Sequence, residues 1–360
     1  MNATQTLDQL GQRLWLDNIT RALLRSGTLA RYIAQLSISG LTSNPTIFEH
    51  AIGSGNDYDA SIRLLNAAGL SDEDLFFELA LEDLTQAADL FYPIFEATGG
   101  MDGWVSLEVS PLLAHDAART LQAAKKLHAK ANKANLFIKI PGTPEGIVAI
   151  EEAIFGGTPI NVTLLFSCDH VLAAAQAYMR GLERRLAAGL DPKVASVASL
   201  FVSRWDVAAN EQVAQPLHNQ LGIAIAMKTY QAHCELLASE RWQRLAAAGA
   251  HPQRLLWAST GTKDPDAPDT LYVQALAAPG TINTLPEKTL LAFADHGKIE
   301  RPLPTDGAYA QDVIDAFRRE GVDDNALASR LQSEGVEAFA TSWRALLARI
   351  REKCTPKEST

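Results

Sequence analysis

The chain has no long apolar run, few cysteines and no excess of positive charge, and each shortage removes a class of function. No stretch of its 360 residues is apolar enough to cross a bilayer, and no basic, apolar leader opens it, so a soluble protein that stays in the cytoplasm is expected. A formal net charge of -10 argues against a nucleic-acid or anionic-membrane surface, because both need a contiguous basic face to displace counterions. The three cysteines, Cys168, Cys234 and Cys354, lie far apart, form no CxxC pair and are odd in number, which fits a reducing compartment without structural disulfides. No two of the eight histidines fall within four residues of each other, so the HxH and HExxH ligand spacings are missing and no metal is expected. Gly53-Ser54-Gly55 lacks the third glycine of a dinucleotide loop, and Gly261-Thr262-Lys263 reverses a P-loop ending, so neither supports a nucleotide cofactor.

What is present is a repeated alternation. Short period-two apolar runs, each closed by Gly, Pro, Ser or a similar turn residue, occur at Leu14 to Asn18, Gly40 to Asn44, Trp104 to Ser110, Leu136 to Pro141, Ile160 to Ser167, Val197 to Arg204, Leu255 to Thr260 and Thr281 to Leu285. Helical patterns fill most of the gaps. One is capped by Ser71, carries Asp72, Glu73 and Asp74 in its first turn and stops at Gly99-Gly100; another runs from about Leu112 to Lys133. Eight strands alternating with helices predict an α/β fold, a closed (β/α)8 TIM barrel with additional helices, in one domain over 1–360. The long gaps after the second and sixth strands should hold extra helices. Residues 305–352 read as C-terminal amphipathic helices, and the polar 353–360 as a frayed tail.

Side chains along a strand point alternately to the helices and to the barrel axis. In Leu136-Phe137-Ile138-Lys139-Ile140 the apolar Leu136, Ile138 and Ile140 take one face, which turns Lys139 inward. The same parity turns Ser106 and Glu108, Asn161 and Thr163, and Asp17 inward. An inward Asp or Asn taken singly is commonly a satisfied core group, and a lone Lys is usually solvated. Several on neighbouring strands, converging near the carboxyl ends where barrel active sites lie, point to a site, because burying so many polar groups is costly unless they are paired or used. The chemistry suggested is attack of an amine on a ketone, with carboxylates moving the protons. Lys139, Asp17, Glu108 and Thr163 are the candidates.

At these residues the sequence resembles the transaldolases. The matching segments are Trp15-Leu-Asp-Asn-Ile-Thr-Arg21, Gly40-Leu-Thr-Ser-Asn-Pro-Thr-Ile-Phe48, Val105-Ser-Leu-Glu-Val-Ser-Pro111, Ile138-Lys-Ile-Pro-Gly-Thr143, Ile160-Asn-Val-Thr-Leu-Leu-Phe-Ser167, Ser199-Leu-Phe-Val-Ser-Arg204, Trp257-Ala-Ser-Thr-Gly-Thr-Lys-Asp-Pro265 and Thr281-Ile-Asn-Thr-Leu-Pro286. The resemblance implies reversible transfer of a dihydroxyacetone unit from a ketose phosphate to an aldose phosphate in the pentose phosphate pathway, without metal or organic cofactor. It implies that Lys139 forms the Schiff base, that Asp17 takes the hydroxyl proton during cleavage, and that Glu108 with Thr163 handles the water of carbinolamine chemistry. Asn44 and Asn161 would hold the hydroxyls of the three-carbon unit, with Thr42 and Ser199 nearby, and Arg204, Ser259 and Lys263 would meet the phosphate. Lys263 is the weakest match, because other branches carry an arginine closer to the serine. Gly142 stands where alanine is frequent, and Cys168-Asp169-His170 replaces a segment that often has an acidic and basic pair; Cys168 is read as packing.

The alternatives are a fructose-6-phosphate aldolase releasing free dihydroxyacetone and a barrel that only binds a sugar phosphate. The chain length and Glu108 favour transfer over release, and the lysine with two carboxylates argues against a pure binder. The length also leaves no room for a fused isomerase domain. The expected partners are sugar phosphates, with no nucleic acid and no membrane, and the protein is expected as a monomer or homodimer.

Overall fold

Each of the eight alternating runs forms a strand in the computed structural model, which describes residues 2–354. They are β1 (Arg13–Asp17), β2 (Ile38–Thr42), β3 (Trp104–Glu108), β4 (Leu136–Pro141), β5 (Ile160–Leu165), β6 (Ser196–Phe201), β7 (Arg254–Ala258) and β8 (Ile282–Leu285). All pair in parallel and in chain order, and β8 pairs back to β1, closing the barrel. Six of the predicted runs overshoot the strands by one to three residues at their carboxyl ends. The reason is local: Asn44 and Ser167 leave the ladder to cap the helices Pro45–Gly53 and Cys168–Ala187 with their side chains.

Helices lie outside the barrel, and the long gaps hold extra ones as expected. Three (Pro45–Gly53, Asp59–Ala67 and Asp72–Ala97) separate β2 from β3, and Ser203–Ala209, Leu221–Ala238 and Glu240–Ala247 lie between β6 and β7. The pattern over 112–133 resolves into a 3₁₀ turn, Pro111–Leu113, and a helix, Ala117–Ala131, that begins late because Asp116 caps it. The last helix, Asp324–Cys354, runs two residues past the expected end of the C-terminal helices at 352, and Lys353 bonds Asp59 at 2.5 Å. The tail 355–360 lies outside the described residues. No described helix is long and apolar enough to span a membrane.

The barrel interior is divided along its axis. At the amino end Asp102 pairs with Arg254 at 2.8 Å and Arg13 at 3.0 Å. Above it Trp104 stacks on Phe137 at 4.0 Å between centroids, and Phe137 lies 6.2 Å from Trp15. This aromatic floor separates that ion cluster from the polar groups at the carboxyl end. Gly40 is part of the floor, because a Cβ there would stand 2.6 Å from the Trp15 indole, closer than carbon atoms can approach. Gly40→Ala is therefore expected to destabilise the fold by about 1–3 kcal/mol, the range for an overpacked core, as read from denaturant unfolding. An unchanged midpoint would show that the indole moves freely.

Candidate active site

The carboxyl ends of the strands open into a cavity of about 500 Å³. Among the residues lining it are Asp17 of β1, Thr42 of β2, Lys139 of β4, Thr163 of β5, Ser199 and Phe201 of β6, and Thr284 of β8. Strand register brings the polar groups level. Glu108, Lys139 and Asn161 are successive partners across β3, β4 and β5, and Asp17 is the partner of Thr42 across β1 and β2. The parity argument thus places Asp17, Glu108, Lys139, Asn161 and Thr163 together at one mouth.

Lys139 is buried, with 5% of its surface exposed. Its Nζ donates to the Ser43 carbonyl at 2.9 Å and lies 3.2 Å from Glu108 Oε2. Neither Glu108 oxygen forms an aligned hydrogen bond within the protein, so the contact with Lys139 is an ion pair. Burial pushes the Glu108 carboxyl above its ordinary pKa; Lys139 opposes the shift and Asp17 adds to it. Thr163 Oγ1 is also buried without a protein partner. An ion pair and a hydroxyl with spare hydrogen-bonding capacity at one spot can hold and move protons on a small polar reactant.

Asp17 faces this group from β1. It accepts a hydrogen bond from Thr42 Oγ1 at 2.7 Å, and Thr42 in turn meets Thr284 Oγ1 at 2.6 Å. Burial raises its pKa, with Lys139, the Thr42 hydrogen bond and Lys263 pulling the other way. Asn161 donates to Ser106 Oγ at 3.1 Å and accepts from Ser199 Oγ at 2.7 Å, so its amide is fixed in orientation. Asn44 uses its oxygen to cap the helix after β2, through the Ile47 amide at 3.0 Å, and still lines the cavity.

Two cations flank the opening. Arg204 is partly buried, its guanidinium carbon 5.5 Å from the Phe201 ring centroid. It has no ion-pair partner among the described residues, and burial lowers its pKa. Lys263 is exposed on the loop after β7 and reaches the same cavity. Ser259 begins that loop with a left-handed backbone, φ +55°, and its hydroxyl lies 2.9 Å from that of Ser203. All eleven candidate residues therefore sit at or beside one cavity, Glu108 and Asn161 as its buried supports.

Sequence reasoning passed over several contributors. Thr284 and Phe201 share the inward parity of β8 and β6 and could have been found by it. Ser43 acts through its carbonyl, which no side-chain pattern reveals. Phe339 comes from the last helix, its ring centroid 6.0 Å from Lys139 Nζ, so that helix covers the mouth. Gly142, where alanine was the alternative, backs onto β5: a Cβ there would meet Leu165 at 2.3 Å. Cys168 opens a helix, and burial pushes its thiol up, which fits packing rather than nucleophilic use.

Comparison with known proteins agrees with this picture. The family described as Transaldolase/Fructose-6-phosphate aldolase matches residues 14–350. A transaldolase of Arthrobacter sp. (strain FB24) is 45% identical over 356 residues, covering 96% of each chain. A transaldolase of Thiobacillus denitrificans is 45% identical over 363 residues, covering 97% of this chain and 100% of its own length. One of Thermobifida fusca is 45% identical over 361 residues, 97% of each chain.

The raised Asp17 pKa has a stability consequence whose sign is fixed. A carboxyl that holds its proton more tightly folded than unfolded costs stability when ionised; the cost grows as pH rises through the ordinary carboxylate range to the raised value, and is complete above it. Asp17→Asn keeps an acceptor for Thr42. It is expected to melt at a higher temperature than the parent at about pH 8, with the advantage shrinking towards about pH 4. A variant less stable than the parent at the higher pH would contradict the assignment of burial as the dominant cause.

Proposed function

The chain belongs to the transaldolase/fructose-6-phosphate aldolase family, and from that membership we propose that Lys139 carries a dihydroxyacetone unit between sugar phosphates as a Schiff base. The donor is a ketose phosphate, fructose 6-phosphate or sedoheptulose 7-phosphate, and the acceptor an aldose phosphate, erythrose 4-phosphate or glyceraldehyde 3-phosphate, in the pentose phosphate pathway. The observation that carries this reading is a buried amine between two carboxylates in one cavity, with cations at its rim.

In this mechanism the Lys139 amine adds to the donor carbonyl, and Glu108, 3.2 Å away, with Thr163 supplies and removes the protons as the carbinolamine loses water. Asp17, on the facing strand, takes the proton from the hydroxyl on the β-carbon. The carbon–carbon bond then breaks and its electron pair passes into the iminium, giving an enamine and a free aldose phosphate. The enamine adds to the carbonyl of the acceptor, Asp17 returns the proton, and water releases the new ketose phosphate. Asn44 and Asn161 hold the hydroxyls of the retained unit, with Thr42 and Ser199 setting the Asp17 carboxylate and the Asn161 amide. Arg204, with Lys263 and Ser259, receives the phosphate. No cofactor enters any step, and the protein works in the cytoplasm as a monomer or homodimer.

Borohydride added with fructose 6-phosphate is expected to fix the substrate carbon to a peptide containing Lys139; an adduct elsewhere, or none, would refute the scheme. Lys139→Met should abolish both adduct and turnover. Asp17→Ala should still give the adduct while cleavage slows about 10²- to 10⁴-fold, the usual contribution of a general base. Equal loss of trapping in both variants would mean that the roles are wrongly divided.

The second reading, an aldolase that releases dihydroxyacetone, differs in products. Strong dependence of turnover on erythrose 4-phosphate is expected, and steady release of dihydroxyacetone without it would replace transfer by simple cleavage.

A further inference from the structure

β5 is irregular at Thr163, a residue that the proposed mechanism uses. Val162 pairs with Ala198 and Leu165 with Leu200, so two residues, Thr163 and Leu164, stand opposite Ser199 alone. Leu164 takes up the extra length in the left-handed region, φ +57°, the only aliphatic side chain among the described residues to do so. The Leu164 carbonyl at this irregularity accepts a hydrogen bond from outside the sheet.

The donor is Gln332 on the last helix. Its Nε2 donates to the Leu164 carbonyl at 3.0 Å and to the Gly142 carbonyl at 3.1 Å, and lies 3.5 Å from His170 Nδ1. One side-chain amide thus joins the residues following Lys139 on β4 to the bulge beside Thr163 on β5. Between them the Gly142 amide donates to the Thr163 carbonyl at 2.8 Å. His170 completes the cluster by accepting from the Phe166 amide at 3.3 Å, and burial lowers its pKa. Gln332 and Phe339 are seven residues apart, two helical turns, and so share a face of that helix. Gly335 lies between them, where a Cβ would come within 3.0 Å of Leu164 and 3.4 Å of the Arg204 guanidinium.

We propose that Gln332 is a positioning residue for the reaction: by bonding the Leu164 and Gly142 carbonyls it holds the bulge that aims Thr163 at the Lys139 adduct, and seats the helix that carries Phe339 over the amine. It touches no reacting atom. The proposal rests on the reading that Lys139 and Thr163 carry out the Schiff-base chemistry.

The test compares the full-length parent with Gln332→Leu, Thr163→Val and the double variant, measuring kcat, KM for fructose 6-phosphate, the rate of borohydride trapping and the melting temperature. Gln332→Leu removes the donor at similar volume, and Gln332 is only partly buried, so the chain should fold. Gln332→Glu, which also lacks the donor at neutral pH, serves if it does not. The expected result is a loss of about 10- to 100-fold in both kcat and trapping rate, the scale for a small misplacement of a reacting group, with KM within about threefold. Once Thr163 is gone its aim no longer matters, so adding Gln332→Leu to Thr163→Val should cost little more. A fall in melting temperature with normal kcat, a rise in KM alone, or fully multiplicative losses would each overturn the proposal. Normal trapping by Thr163→Val would overturn the underlying role of Thr163, and the positioning role with it; normal trapping by Gln332→Leu beside slow trapping by Thr163→Val would sink the positioning role alone.

Discussion

The ion pair between Lys139 and Glu108 sets the terms for the rest of the molecule. At 3.2 Å its Coulomb attraction is about 5 kcal/mol for an effective dielectric of about 20, while taking each ion out of water costs several kcal/mol. The two effects nearly cancel, and for the carboxylate desolvation prevails, since the Glu108 pKa is raised despite the amine beside it. Such a pair contributes little to stability. It persists because the surrounding strands hold it, with Lys139 also bonded to the Ser43 carbonyl. What the arrangement provides is a buried amine and a carboxylate held 3.2 Å apart and open to a reactant in the cavity.

Stability must then come from elsewhere in the same barrel, which explains its division along the axis. The amino end is closed by Asp102 with Arg254 and Arg13, and filled by Trp15, Trp104 and Phe137, large rings whose burial contributes on the order of 2–3 kcal/mol each. Gly40 makes room for one of these rings, so the floor is packed to the limit of the backbone. The polar groups that line the cavity lie towards the carboxyl ends of the strands, where the chain leaves the ladder and solvent can enter. Function and stability thus occupy opposite ends of the same eight strands.

How far this could be read beforehand depended on periodicity. A strand repeats every two residues, so a single polar position among alternating apolar ones declares its direction, and Asp17, Glu108, Lys139, Asn161 and Thr163 could each be assigned to the interior. The same rule would have reached Thr284 and Phe201 had it been applied to every strand. It could not reach Phe339 or Gln332. Both lie on a 31-residue helix whose buried stripe of Leu331, Gly335, Phe339, Trp343 and Leu346 looks the same in sequence whether it covers a barrel mouth or another subunit. Backbone contributions were equally silent: the Ser43 carbonyl and the left-handed Leu164 have no composition signal, and leucine is a residue that argues against that conformation.

The Leu164 bulge also shows why the last helix and the strands have to be considered as one structure. A left-handed leucine costs on the order of 1–3 kcal/mol, and its carbonyl would cost a comparable amount if left unbonded. The helix meets them with the Gln332 amide and with packing of Leu164 against Gly335, where a Cβ would come within 3.0 Å of the leucine side chain. The strand distortion and the helix position are therefore linked through these contacts. The bulge beside Thr163, bonded from a segment more than 160 residues away in sequence, is coupled to what holds that segment, including the edge-to-face contact of Phe76 with Trp343 at 5.0 Å. Substitutions along the buried face of the helix should for that reason be felt at Thr163 before they are felt by the barrel as a whole.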